Sequence, residues 1–328
     1  MASYILRRLL YALPTLVIIS IISFAIIELP PGDYLSTYIT QLQEQGADIS
    51  RERVANLKAI YGLDRPMYVR YFKWITNILL RGDFGGSFLW NRPVSELIGE
   101  RLMLTIVISF CTMIFVYAVA VPIGIYAATH QYSFGDYTFS VVGFVGLATP
   151  NFLLALILMF IAWKYFGLSV GGLFSKEFED AAWSLGKIVD LLRHLWIPIV
   201  VIGTAGTAGL IRVMRGCLLD EYRKQYVITA RAKGLGERAL LFRYPVRIAI
   251  NPIVSTIGWM LPALISGGTI TAIVLNLPTT GPLLLQALMS QDMYLAGSFI
   301  LILSGLTVLG TLISDLLLVL VDPRIRYE

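Results

Sequence analysis

The sequence predicts an all-α, polytopic membrane protein with six transmembrane helices and a helical insertion, outside the cytoplasm, between the first two. Composition is the first reason: of 328 residues 57% are hydrophobic and only 14% charged, with a mean hydropathy of +0.73, against roughly one-quarter charged in a soluble domain. The second is that six stretches contain no Asp, Glu, Lys or Arg, namely 9–27, 102–128, 137–163, 195–211, 248–291 and 293–314. The third is that Lys and Arg flank the apolar stretches in pairs at the two ends of the chain and crowd one segment between the fourth and fifth stretches, while 30–101 mixes acids and bases and is long enough to be translocated regardless of charge.

Crossing a hydrocarbon core of about 30 Å takes about 20 apolar residues in a helix, and these runs meet that need. The first, at 9–27, follows Arg7 and Arg8. A basic pair before an apolar run also begins a cleaved signal peptide, but here Glu28, Leu29, Pro30, Pro31, Gly32 and Asp33 follow instead of small residues around a cleavage site. The run is therefore read as a helix that stays. In the next segment, 50–61 and 67–80 place apolar residues three and four apart, with Gly62 and Pro66 between them, which predicts two or three short helices on the outer face. The stretch 248–291 is too long for one crossing. Asn276, Pro278, Thr279, Thr280, Gly281 and Pro282 interrupt it with turn chemistry, so the fifth helix ends near Leu275 and the sixth begins near Tyr294. The expected organisation is a tail and first helix at 1–29, an extracytoplasmic helical segment at 30–101, and a core at 102–328 containing a polar segment at 220–245.

Lys and Arg resist translocation and so mark cytoplasmic loops. Arg7 and Arg8 at one end, Arg324 and Arg326 at the other, and Arg212, Arg215, Arg223, Lys224, Arg231, Lys233, Arg238, Arg243 and Arg247 between spans four and five should all lie in the cytoplasm. An even number of spans agrees with that placement. The connection between spans five and six has no Lys or Arg, as an external loop should, and 164–194 is external as well. Cys111 and Cys217 lie in contexts unlike a disulfide framework or a metal-ligand cluster.

The segment 220–245 is too polar to cross a bilayer and is patterned as a helix, a turn and a second helix. Ala230, Arg231, Ala232 and Lys233 favour a helix, Gly234 can take the left-handed conformation that closes one, and Gly236 loosens the turn. Ala230 and Gly234, four apart, are expected to share a face on which small side chains admit another backbone, while Arg231 and Lys233 reach acidic groups of a partner. A basic loop resting on anionic headgroups is the other reading of the same charges.

Taken with its surroundings, the run from Tyr226 to Leu235 resembles the cytoplasmic signature of binding-protein-dependent ABC importer permeases, in the form found in the dipeptide, oligopeptide and nickel group. Arg212 and Arg215 precede it and Asn251 and Pro252 follow. Further matches, in order, are Tyr4, Arg7 and Arg8 with Pro14 and Thr15; Pro31, Gly32 and Asp33; Gly62 to Pro66; Arg81, Gly82 and Asp83; and Asp322 to Tyr327. The resemblance covers nearly the whole chain and implies a type I ABC importer permease fold. Ala230 and Gly234 take the places of the second Ala and the Gly of the signature. Ile228 stands where the broader family has Glu, Thr229 where it has the first Ala, and Tyr244 near a common His. Residues 277–282 replace a Pro-Gly-Leu-Gly-Arg loop.

What the resemblance implies is a non-catalytic transport subunit of a bacterial cytoplasmic (inner) membrane, with both termini cytoplasmic. It would move peptides, or oligosaccharides, by alternating access. Tyr226, Thr229, Ala230, Arg231, Ala232, Lys233, Gly234 and Leu235 would form a coupling helix seated in a separate ATPase. The implied partners are two cytoplasmic ATP-binding subunits, a second related permease forming a heterodimer, an extracytoplasmic solute-binding protein and membrane lipid, with no nucleic acid. The sequence has no phosphate-cradling Gly-x-x-x-x-Gly-Lys-Ser/Thr loop, so ATP and Mg would be bound by the partner subunits, with no cofactor or metal held by this chain. Candidates for the translocation path are Thr149, Pro150, Asn151, Asn251 and Trp259, with Asn151 able to receive a solute group where Pro150 breaks the helix locally; packing against a neighbouring helix or capping of its own backbone is the other reading of each. A secondary transporter usually places ionisable residues near the bilayer midplane, and an intramembrane enzyme needs a nucleophile with a base at that depth. The spans carry no central charge, and His130 and His194 lie at span ends. A channel for small polar solutes is the remaining alternative.

Overall fold

The computed structural model describes residues 2–28, 65–167, 171–179, 181–266 and 268–321. The helix expected at 50–61, and the matches at 31–33, 62–64 and 322–327, lie outside them. Among the described residues the regular structure is helical, with one isolated bridge between Gly86 and Pro93. The chain packs as two compact units, Met1–Met103 with Thr279–Val308 and Leu104–Pro278 with Leu309–Glu328.

In the first unit, α1 (Ala2–Glu28) meets α2 (Met67–Arg81), the second of the outer helices expected from the sequence. Helix α2 starts directly after Pro66 and stops at Gly82. There φ is +65°, and the amides of Gly82 and Asp83 donate to the carbonyls of Ile78 and Asn77, the hydrogen-bond pattern that glycine allows at a helix end. Its inward face presents Tyr71 and Trp74 to Phe24 of α1, each ring centroid 5.5 Å away, and Arg70 forms an ion pair with Glu28. The unit also takes in the start of α3 (Val94–Thr129), α12 (Thr280–Met289) and the start of α13 (Met293–Val321). Helix α12 lies where turn chemistry led us to expect only a loop, because Leu283 and Ala287 find a buried seat beside Val94, Ile98, Leu295 and Phe299.

Asp292 is the polar centre of that core. It is fully buried, and its carboxylate accepts from Ser87 Oγ at 2.6 Å and from the amides of Leu89 and Leu295, both at 3.2 Å. One side chain therefore caps α13 and fastens the loop before α3.

The second unit is organised around α6 (Leu185–Tyr222), against which α4 (Phe134–Ala148), α5 (Asn151–Phe166) and α9 (Pro245–Ser255) all pack. At 38 residues, α6 is about 57 Å long, nearly twice a hydrocarbon core, so it projects beyond the lipid. Helix α3 (Val94–Thr129) approaches it closely where Gly124 faces Met214: a methyl at Gly124 would sit 2.7 Å from Met214 Cβ. Small residues permit this closeness where lipid supplies no hydrophobic drive between helices. Asp136, in the first turn of α4, is 3% exposed and is gripped by Arg215 of α6 through Nε at 3.0 Å and Nη2 at 2.9 Å. Ser133 Oγ caps α4 by accepting from the Asp136 amide, while the Asp136 carboxylate accepts from the Tyr132 amide, so that carboxylate holds the turn before α4 and ties the helix to α6.

The span expected at 137–163 is not one straight helix. Pro150 disfavours helical geometry at the residue before it, Thr149 takes φ −82° and ψ 122°, and α4 and α5 meet there at 106°. Helices α10 (Ile257–Ser266) and α11 (Thr269–Val274) continue from α9, and α11 ends at Leu275 as expected. By length and composition, three described helices can cross a membrane, or five if each of two bent pairs is one crossing; the described apolar stretch of α1, Leu10–Ala25, is shorter.

Replacing Asp292 with Ala strands two buried donors, Ser87 Oγ and the Leu295 amide, and the part-buried Leu89 amide, at about 1–3 kcal/mol for each buried donor left unsatisfied. A fall in Tm of the detergent-solubilised protein is expected, larger than for Asp83→Ala, whose carboxylate serves one exposed turn. Scanning fluorimetry of the two variants checks this.

Candidate functional site

The polar stretch after α6 folds as the sequence predicts, with α7 (Gln225–Ala232), a turn, and α8 (Glu237–Arg243) leading directly into α9. Its anchor is Glu221 in the last turn of α6, 9% exposed. That carboxylate accepts from Lys224 Nζ and from the Tyr226 hydroxyl, both at 2.5 Å. Burial, and then the bond to Glu221, push the Tyr226 phenol above its ordinary range, so it remains a neutral donor.

Val227 and Ala230, one turn apart, point inward onto Leu240 of α8, with Tyr222, Tyr226, Leu235 and Tyr244 closing the cluster. Helix α7 ends as expected. Gly234 has φ +81°, its amide donates to the Arg231 carbonyl at 3.0 Å, and the Leu235 amide donates to Ala230 at 3.4 Å. This paired closure needs a residue at ease in the left-handed region. Glu237 then opens α8, favourably placed at its positive end. It accepts from Arg231 Nε at 2.6 Å, from Arg231 Nη2 at 3.1 Å and from Tyr222 OH at 2.9 Å, while the guanidinium lies over the Tyr222 ring. The Glu237 hydrogen bond raises Arg231 above its usual pKa.

Two expectations about this surface are corrected. Ala230 and Gly234 do not share an open face, because Ala230 is buried beneath α8 while open space surrounds Gly234. The small side chain at 230 lets α8 cross α7. Arg231, expected to reach outward, is held by Glu237 within the chain. The outward face consists of Ile228, 47% exposed, with Thr229, Ala232, Lys233 and Gly234.

The other candidates fall in two places. Thr149, Pro150 and Asn151 sit at the break between α4 and α5, where the Thr149 hydroxyl donates to its own helix at Val145 O, 2.7 Å. Asn251 is half-buried on α9 and Trp259 exposed on α10. Sequence reasoning missed Glu221, Tyr222 and Glu237. Glu221 stands three residues before Lys224, a spacing that could have marked it. Glu237 reaches Arg231 only across a turn, which periodicity does not report. Among the described residues no three His, Cys, Asp or Glu side chains gather to hold a metal ion. The arrangement joins α7 to α6 through Glu221 and to α9 through α8.

Two family models match the chain. The model for the N-terminal part of binding-protein-dependent transport system membrane components matches residues 1–109, and that for the inner membrane component of the same systems matches 120–327. The oligopeptide transport system permease protein AppB of Bacillus subtilis (strain 168) is 36% identical over 329 residues, covering 100% of both chains. The dipeptide transport system permease protein DppB of Escherichia coli (strain K12) is 31% identical over 344 residues, again covering 100% of both. A chain of the MetNI methionine ABC transporter, solved in inward-facing conformations, is 16% identical with a TM-score of 0.52, over 69% of this chain and 96% of that one, which shows the same fold. With both models together spanning almost its full length, the chain belongs to the family of binding-protein-dependent transport system inner membrane components.

Proposed function

We propose that this chain is the permease subunit of an ATP-driven importer of peptides, and that α7 is the element through which separate ATPase subunits move it. The observation that carries the reading is the fastening of α7 at both ends, to α6 through Glu221 and to α9 through α8. A helix held in this way cannot be displaced without moving the helices it joins. Peptides are favoured over oligosaccharides because the two full-length relatives described above are oligopeptide and dipeptide permeases by name.

On this reading α1, the two bent pairs, α3, α6 and α13 make six crossings of a bacterial inner membrane. The core is 102–328, the extracytoplasmic segment is 30–101, and both termini are cytoplasmic. Closure of two ATPase subunits draws α7 toward its counterpart on a second, related permease. The crossings rock, and a shared cavity opens outward to a solute-binding protein. The path candidates Thr149, Pro150, Asn151, Asn251 and Trp259 belong to this proposal, with the break at Pro150 the most suggestive because it frees backbone groups at a bend. ATP and Mg belong to the partner subunits.

Gly234→Val forces a branched side chain into the left-handed region at a cost of about 1–2 kcal/mol and unwinds the end of α7. ATP-dependent peptide uptake by vesicles should disappear while the amount of inserted protein is unchanged; normal uptake contradicts the role given to α7. Ile228→Ala removes the exposed apolar side chain of the docking face. Truncating a buried interface anchor costs upward of about 1 kcal/mol, so recovery of the ATPase subunits by co-purification should fall roughly fivefold or more, whereas Phe242→Ala, exposed on α8 outside that face, should leave it alone.

A further inference from the structure

We propose that a groove between α4 and α6 is a binding site for one anionic phospholipid of the cytoplasmic leaflet. The groove has a volume of about 430 Å³. Its walls are Val141, Phe144 and Leu147 of α4 and Ala208 and Ile211 of α6, and its floor is formed where Gly143 meets Ala208. From Asp136 to Leu147 it follows α4 for about 16 Å, the depth of one leaflet of a hydrocarbon core about 30 Å thick. A single acyl chain fits that length.

The two ends differ in chemistry. Tyr132, Tyr137, Arg212 and Arg215 lie at one end, and only apolar side chains at the other. Arg215 is already engaged bidentately by Asp136. Arg212 is exposed, lies 5.8 Å from the Phe144 ring centroid, and has no acidic partner among the described residues. An available guanidinium above an apolar channel, bordered by tyrosines that favour the headgroup region, matches a phosphate over its acyl chain. A path for a polar solute would need hydrogen-bonding groups along its length, and Ser140 is the only hydroxyl between the tyrosine end and Leu147. A protein partner would have to bring an acid to Arg212 at the headgroup level. The proposal uses the orientation given above only to name the leaflet.

The test places p-benzoylphenylalanine at Val141 in the assembled importer, reconstituted in equal parts phosphatidylglycerol and phosphatidylcholine, and identifies the photo-adducts by mass. Adducts to phosphatidylglycerol should exceed those to phosphatidylcholine about fivefold, the contribution of roughly one cation near the surface. R212Q should abolish that excess and R212K, which keeps the charge, should retain it. Equal labelling of the two lipids, an excess that survives R212Q, or adducts confined to the second permease or to transported peptide would each overturn the site. ATP-dependent uptake by the same vesicles separates the two readings. Uptake with unbiased labelling defeats only the lipid site, and biased labelling without ATP-dependent uptake defeats only the importer reading.

Discussion

The role proposed for α7 depends on its being fastened to the helices it joins, and the fastening to α6 is the Glu221 carboxylate. It takes both the Lys224 ammonium and the Tyr226 hydroxyl, locking the first turn of α7 to the last turn of α6. The far end is held differently, by apolar contact of Val227 and Ala230 with Leu240 and by the Arg231–Glu237 pair across the turn. Polar anchoring at one end and packing at the other leave little slack between α6 and α9. The exposed Arg231–Glu237 pair adds mostly direction, since exposed ion pairs contribute little stability.

The same economy of buried charge recurs elsewhere. Asp136 holds the turn before α4 and grips Arg215 of α6; Asp292 caps α13 and holds the loop at Ser87. In each case a carboxylate at the start of a helix also ties that helix to another part of its own unit. Breaking such a buried cluster costs several kcal/mol because the remaining partner is left uncompensated, which suits joints that must not yield. By contrast, α4 and α5 meet at an open bend set by Pro150, where the chain is shaped by a missing donor.

Much of this architecture was legible in the sequence because it depends on local chemistry. Charge-free runs mark the apolar helices, Pro66 and Gly82 bracket α2, and Gly234 closes α7. The family was legible from the order of several short matches, each weak by itself. What could not be read depends on which groups meet in space. The spacing of Ala230 and Gly234 places both on one outward face, yet the way α8 folds back over α7 buries Ala230. Arg231 reads in sequence as a cation free to reach a partner, and Glu237 claims it from beyond the turn. Residues 137–163 show no charge at which to divide them, so Pro150 marks a local break but the size of the bend, 106°, does not follow from hydropathy. Helix α12 was hidden in a segment rich in turn residues because its stability comes from the pocket that receives Leu283 and Ala287.

The most direct test of the account is the accessibility of a single cysteine at Thr229, introduced in a Cys111→Ser, Cys217→Ser background. Labelling with a membrane-impermeant maleimide would be compared in right-side-out and inside-out vesicles, with and without the ATPase subunits. The account predicts labelling from the cytoplasmic side alone, suppressed when the ATPases are bound. Labelling from the outer side, or labelling indifferent to the ATPases, would contradict it.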